Sequence, residues 1–281
     1  MIREDRLQPG DHRRVAEFVG AQAGIQLPEH KRSLIETRLR RRVKATGHAT
    51  FRAYLDFALS PAGKEGEQVL LIDELTTNKT DFFREPGHFN FLNRYVAKEL
   101  APHSGPGFSR PLKVWSAACS TGEEPYTLAM VFREIQEEYR QFEFTIDATD
   151  IAPSVLEIAR KGVYPLGRVA PVSQDLRKKY LLKSRDPEKG LVRVDRATRS
   201  TVHFYSFNLI TGKFPEKPTY DVIFCRNVMI YFNNEDREKI IRQLRASLRP
   251  GGLLFIGHSE SIGSQRAAFE TLMPTVFRRL D

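Results

Sequence analysis

Apolar and polar positions follow two different periods along this chain, and the change of period divides it. In the first part the spacing is helical. Ile35, Leu39 and Val43 repeat at i, i+4 and i+8, which predicts a helix over about 31–45 with a narrow apolar stripe. Gly47 stands where a helix stop is expected. Phe51, Tyr54, Leu55 and Ala58 predict a second, short amphipathic helix ending before Ser60-Pro61, and Val69 to Leu75 is a third apolar run. Residues 11 to about 95 thus read as mostly helical. The stretch Ala101-Pro-His-Ser-Gly-Pro-Gly-Phe-Ser-Arg-Pro111 is turn-forming throughout.

Beyond it, short apolar runs alternate with helical periodicity. Strands are predicted at 112–115, 142–149, 220–225 and 253–257, and helices at 125–140, 153–161 and 235–248. Arg249-Pro-Gly-Gly reads as a stop, and 269–280 as a closing hairpin. Strand–helix alternation predicts a mostly parallel, doubly wound α/β sheet, with ligands outside the carboxyl ends of its strands. One block, about 164–206, is basic, turn-rich and β-prone, and reads as a small insertion. The expected units are a helical domain, 1–90, and a sheet domain, 91–281.

Composition narrows the class. A chain of 281 residues with 41% hydrophobic content is globular. No apolar run approaches the ~18 residues of a membrane span. The start, Met1-Ile-Arg-Glu-Asp-Arg, lacks the apolar core of a signal peptide. Cys119 and Cys225 are too few for a disulfide framework, which fits a reducing cytoplasm. They end apolar strands, so buried thiols are expected. No His/Cys cluster has metal-ligand spacing, and no metal is expected. The net charge of +9 favours nucleic acid, an anionic surface or an acidic protein without choosing between them.

Five features carry candidate chemistry. In Val114-Trp-Ser-Ala-Ala-Cys-Ser-Thr-Gly-Glu-Glu-Pro-Tyr126 a strand meets small residues, then Glu123 and Glu124 at a helix start. The Gly-rich dinucleotide and P-loop patterns are absent, and these carboxylates would repel phosphate. They suit the ammonium or ribose of S-adenosylmethionine, or else they complement the helix dipole. Asp150 ends the second strand, where an acidic residue accepts ribose hydroxyls or caps the next helix. Arg226, Asn227 and Tyr231 follow the strand ending at Cys225, either facing a cleft or forming an ordinary polar loop. Asn78, Thr80 and Arg84 lie in a polar segment with a Phe82-Phe83 anchor. There Arg84 is a carboxylate clamp or a surface residue after a capped helix. The helix 31–45 carries seven basic residues from Lys31 to Lys44 against one acid, Glu36. Arg40, Arg41 and Lys44 project away from its stripe, as a binding face or a solvated one.

Together these segments resemble the CheR family, the chemotaxis-receptor glutamate methyltransferases. The resemblance rests on Thr76-Thr-Asn-Lys-Thr-Asp-Phe-Phe-Arg84, Trp115-Ser-Ala-Ala-Cys-Ser-Thr-Gly-Glu-Glu-Pro-Tyr126, Ala148-Thr-Asp-Ile151, Cys225-Arg-Asn-Val-Met-Ile-Tyr-Phe232 and Pro250-Gly-Gly-Leu-Leu-Phe-Ile-Gly-His-Ser-Glu260. It covers nearly the whole chain in order. It implies an all-helical N-terminal domain and a class I methyltransferase (Rossmann-like) sheet with a small inserted antiparallel β-subdomain. The implied cofactor is S-adenosylmethionine, leaving as S-adenosylhomocysteine. Its contacts would be Asn78, Thr80, Arg84, Glu124 (favoured over Glu123), Asp150, Asn208, Leu209, Asn227 and Val228, with Arg84 and Tyr231 nearest the reacting centre. The implied reaction is methyl-ester formation on glutamates of receptor cytoplasmic helices. The basic helix, with Arg40, Arg41 and Lys44, would meet the acidic receptor bundle of a monomeric cytoplasmic enzyme.

Some family members also dock the inserted subdomain on a receptor C-terminal pentapeptide by strand addition. Here Leu181 to Val194 has a suitable length, but Ser184-Arg185-Asp186 stands where a glycine-containing turn is expected. Two alternatives remain from the residues. A nucleic-acid methyltransferase accounts for the basic balance, yet the basic segment lacks interleaved aromatics. A silent sensor of S-adenosylmethionine would not need Asn78, Arg84, Asp150 and Tyr231 together.

Overall fold

The computed structural model describes residues 5–64, 66–103 and 105–281. Residues 1–4 of the segment read for a leader, Glu65, and Ser104 of the turn-forming stretch lie outside the described residues.

Among the described residues, the first unit is built of α1 (Pro9–Ala23), α2 (Arg32–Ala45), α3 (Phe51–Ala58) and α4 (Glu67–Leu75). Pro9 opens α1, where its missing N–H costs nothing. The Thr50 hydroxyl caps α3 by accepting the Ala53 N–H at 3.1 Å. The predicted stripe is buried: Ile35, Leu39 and Val43 pack with Val15, Val19, Leu55 and Leu71. Inside this core Arg42 donates two bonds to Glu67, at 2.9 and 2.7 Å, and the Tyr54 hydroxyl donates a third at 2.8 Å. One buried carboxylate thereby locks α2, α3 and α4.

The basic helix is less free than its sequence implies. Arg40 was expected on the outward face. Instead it is half-buried, paired with Glu36 at 2.7 Å and laid over the Phe51 ring at 5.1 Å. Its long stem lets the guanidinium fold back onto apolar surface. Arg41 pairs with Glu74 at 2.6 Å but keeps 73% of its side chain exposed, and Lys44 is exposed.

The second unit contains strands β1 (Leu112–Ala117), β2 (Phe144–Asp150), β3 (Val163–Pro165), β4 (Leu181–Lys183), β5 (Leu191–Val194), β6 (Val202–Ser206), β7 (Tyr220–Cys225), β8 (Leu248–Ile256), β9 (Phe269–Met273) and β10 (Val276–Arg279). Its helices are α5 (Pro86–Tyr95), α6 (Glu123–Glu138), α7 (Pro153–Lys161), α8 (Gln174–Tyr180), α9 (Arg196–Arg199) and α10 (Asn234–Ser247). Seven strands form one sheet in the order β6-β2-β1-β7-β8-β10-β9. The first five are mutually parallel, and β10 runs antiparallel to β8. β7 is buried along its whole length, as expected of a strand covered on both faces. Phe89 and Leu92 of α5 and Met130 and Phe132 of α6 cover one face; Ile240, Ile241 and Leu244 of α10 cover the other. The chain reverses direction across the sheet between β1 and β7, which makes their carboxyl ends the switch point.

Four details differ from the sequence expectations. The segment 202–206, read as part of the insertion, pairs in parallel with β2 from Ile146↔Val202 to Asp150↔Ser206. It completes the main sheet, and the separate antiparallel sheet is only β3-β5-β4. Arg249-Pro-Gly-Gly lies within β8 as an irregularity, where pairing with β7 shifts register between Tyr220 and Val222. Pro250, which lacks an N–H, and Gly251 at φ 76° fit a bulge. α6 begins at Glu123, ahead of Pro125, because Gly122 at φ 94° makes the turn. A Cβ there would lie 2.8 Å from the Ala159 Cβ. Finally, α5 starts inside the expected helical unit 1–90 but packs on the sheet.

At the end of the sheet opposite the switch point, Asp221 accepts from Arg110 at 2.7 Å, from the Lys113 N–H at 2.9 Å and from Arg249 at 3.2 Å. Burial pushes its carboxyl up, but the Arg110 bonds and these other donors outweigh burial and hold it below the usual range. A depressed carboxyl contributes stability that is complete above the unfolded value and lost as pH falls through the folded one. Asp221→Asn should cost about 3 kcal/mol in urea unfolding at neutral pH. It should also flatten the loss of stability below about pH 4.

Candidate functional site

A cleft opens at the switch point, between the carboxyl ends of the parallel strands and the helical unit. It offers about 130 Å³ to the centres of water-sized atoms, far more than the roughly 10–15 Å³ that one water needs. All ten residues proposed from sequence for catalysis or cofactor binding line it: Asn78, Thr80, Arg84, Glu124, Asp150, Asn208, Leu209, Asn227, Val228 and Tyr231. Arg40, Arg41 and Lys44 do not line it. Glu123 also turns away, binding Arg168 at 2.8 Å and the Thr121 hydroxyl at 2.6 Å.

The backbone here is strained. Phe83, Glu85, Ala118, Ser120 and Asn227 all have positive φ, between 50° and 60°. They bracket the cleft on the segment before α5, the turn after β1 and the turn after β7. Such conformations cost roughly 1–3 kcal/mol each and persist where surroundings impose them. The surroundings are identifiable. Ser120 donates its N–H to Asp150 at 2.8 Å and its hydroxyl to the Asn78 carbonyl at 2.9 Å. Glu260 accepts the N–H groups of Asn227 and Met229 at 2.9 and 2.8 Å, fixing the turn after β7. A Cβ on Gly257 would approach the Asn227 amide nitrogen to 2.5 Å, so the exit of β8 needs glycine.

Asp150 ties the turn after β1 to the entry of α7 without capping that helix. One oxygen accepts the Ala152 N–H at 3.0 Å, close to the start of α7; the other accepts that of Ser120. Each oxygen keeps a further lone pair for a ligand hydroxyl. Burial, opposed by these backbone bonds, raises its carboxyl above the usual range. Burial likewise raises Glu124, against Arg226 and a 2.7 Å bond from the Ser116 hydroxyl. Asn208 is committed internally: its amide donates to the Gln22 carbonyl at 2.7 Å and its oxygen accepts the Ile210 N–H at 2.8 Å. Arg84 reaches the Lys79 carbonyl at 3.1 Å.

Arg226, a candidate from its place after the β7 strand to which the sequence assigned no cofactor or catalytic role, also lines the cleft. Its side chain is 1% exposed, 3.1 Å from Glu85 and 3.3 Å from Glu124. It lies over the Phe89 and Phe224 rings and donates to the Arg84 carbonyl. Its place after β7 marked it as polar at a strand end. Its partners come from distant segments, so spacing carried no signal of the pairing. Ser120 and Glu260 were missed for the same reason.

The CheR methyltransferase all-alpha domain matches residues 11–76, and the CheR methyltransferase SAM binding domain matches residues 78–277. The chain belongs to the CheR methyltransferase family. Among its relatives, the chemotaxis protein methyltransferase of Borreliella burgdorferi is 38% identical over 267 residues, spanning 95% of this chain and 93% of that one. Chemotaxis protein methyltransferase 2 of Pseudomonas aeruginosa is 39% identical, over 89% and 86% respectively. The chemotaxis protein methyltransferase of Escherichia coli is 35% identical, over 96% and 91%. The enzyme is therefore an S-adenosylmethionine-dependent methyltransferase. The cleft fits that cofactor: Asp150 and Glu124 present acceptors to hydroxyl and ammonium groups, and Ile151, Phe207, Leu209 and Val228 supply apolar lining.

Replacing Arg226 tests whether the cleft depends on the buried guanidinium. Lysine keeps the charge but cannot reach two carboxylates and a carbonyl with a planar fork. Arg226→Lys should lower unfolding stability by about 3 kcal/mol and weaken cofactor binding. Denaturant unfolding and calorimetric titration with S-adenosylhomocysteine measure both.

Proposed function

We propose that this enzyme forms methyl esters on glutamate side chains of chemoreceptor cytoplasmic helices, supporting sensory adaptation. The observation that carries this reading is the convergence of ten residues from five separate segments on one cleft, in a chain whose family acts in chemotaxis. Bound there, S-adenosylmethionine supplies a methyl group on a sulfonium, which a glutamate carboxylate, ionised at neutral pH with a pKa near 4.3, accepts by direct displacement.

The protein then needs no general base. Its residues align and desolvate. Asp150 holds ribose hydroxyls, and Glu124 a cationic group of the donor. Asn78, Thr80, Asn227 and Val228 fix its remaining polar edges, while Asn208 positions Leu209 through the loop they share. Arg84 orients the acceptor carboxylate, and Tyr231 packs beside the reacting centre. The rim carries Lys31, Arg38, Lys79 and Arg84, which suits an acidic acceptor. Arg41 and Lys44 extend that surface along α2 toward the receptor bundle, Arg40 contributing by bracing α2 against Phe51 of α3. The enzyme acts as a monomer in the cytoplasm.

Label from the donor should appear on receptor fragments and be released as methanol by mild base. Base-stable label would replace the ester reading with methylation of nitrogen or of nucleic acid. Arg84→Ala should reduce turnover by about 10² or more with unchanged thermal unfolding. Near-normal methylation by this variant would remove Arg84 from its role. The edge strand β4, with Leu182 58% exposed, is the place for a receptor C-terminal pentapeptide to add as a strand. Titration with such peptides should give saturable binding that Leu182→Asp abolishes, and an absence of binding refutes this docking.

A further inference from the structure

Behind the cleft, Glu85, His88 and His258 bring one ligand atom each within 4.8 Å of one another. No sequence spacing announces this cluster, because His258 arrives from the far end of the chain. His88 is fully buried, and its Nε2 lies 2.9 Å from the Thr275 hydroxyl. That hydroxyl has one proton, which it donates to the Pro274 carbonyl at 2.7 Å. Nε2 therefore carries the ring proton, and Nδ1 presents a lone pair.

This lone pair faces Glu85 Oε2 at 3.6 Å. Among the described residues neither atom has a hydrogen-bond partner, although Oε2 is ion-paired with Arg226. Two buried acceptors pointed at each other are unfavourable unless a cation lies between them. His258 Nε2 is 3.9 Å from the same oxygen. Around a zinc-like ion with bonds of about 2.0–2.1 Å, neighbouring ligand atoms stand roughly 3.3 Å apart. The two separations to Oε2 exceed this by roughly 0.3 and 0.6 Å, and all three ligand atoms lie within 4.8 Å of one another.

The outer shell is also in place. Glu85 Oε1 accepts from the Asn227 amide at 3.2 Å and the His258 N–H at 3.3 Å, which turns Oε2 toward the imidazoles. Arg226 is 3.1 Å from Oε2, but it also faces Glu124. With Glu260 bonded to the adjoining turn, three carboxylates share this corner with one buried guanidinium, and a divalent ion offsets the excess.

We propose that Glu85, His88 and His258 bind one divalent transition-metal ion of the zinc type, which staples the turn after β8 to the start of α5. The test uses the full chain stripped of metal. Titration with Zn²⁺ by calorimetry should show one ion per chain and a raised unfolding temperature, and Co²⁺ should develop visible absorption on binding. His258 is 59% exposed and lies outside the cleft, so His258→Ala should fold and retain metal-free methyltransferase activity. It should lose at least about tenfold in Zn²⁺ affinity and the Co²⁺ absorption. Failure of the parent chain to take up one ion, or uptake undiminished in His258→Ala, overturns the proposal.

Discussion

A guanidinium without water is the constraint around which the cleft is arranged. Arg226 is buried over two stacked aromatic rings, and an unpaired charge there would cost several kcal/mol. Its partners must arrive from elsewhere: Glu85 and the Arg84 carbonyl from the segment before α5, and Glu124 from the first turn of α6. That requirement also accounts for the left-handed backbone at Phe83 and Glu85. With the Arg84 carbonyl held inward, its side chain is left at the cleft. A buried ion pair adds little net stability by itself, and here its consequence is geometric.

The cleft is equally a product of the helical unit. Asp73 of α4 accepts from the Ser154 hydroxyl at 2.7 Å, Gln26 donates its N–H to the Tyr231 carbonyl at 2.9 Å, and Asn208 reaches Gln22. Gly24 leaves no room for a Cβ against Ile210 and Phe232. Arg38 caps the end of α4 through the Leu75 and Thr76 carbonyls at 2.7 and 2.9 Å, while also lining the cleft. Cleft residues thus come from both units, joined by polar contacts that register one against the other.

What the sequence made legible follows the range of the interactions involved. The helical stripe of α2, the limits of α7 and β7, and the cleft residues at strand ends are set by local periodicity and by the geometry of parallel sheets. These were readable, and the ten site residues converge accordingly. Pairings across long separations were not readable. β6 looked like part of an insertion because a short edge strand has no signature apart from its partner β2. Arg40 looked exposed because periodicity places a Cα and says nothing of where a long side chain folds. Arg226 and Glu260 gained meaning only when Glu85, Glu124 and the turn after β7 stood beside them.

Charge distribution explains how one cleft can suit two partners of opposite sign. Glu124 and Asp150 supply negative charge at the cleft floor, beside the buried Arg226, under a rim of Lys31, Arg38, Lys79 and Arg84. A floor of this sign favours a cationic donor, and a rim of the opposite sign favours an anionic acceptor. On the proposed reaction, methyl transfer turns a sulfonium into a thioether and a carboxylate into an ester, removing one charge of each sign. Both electrostatic attractions therefore weaken at the moment of transfer. The pocket holds the reactants more tightly than the products without any group having to move, and the same fixed charges that assemble the pair favour its release.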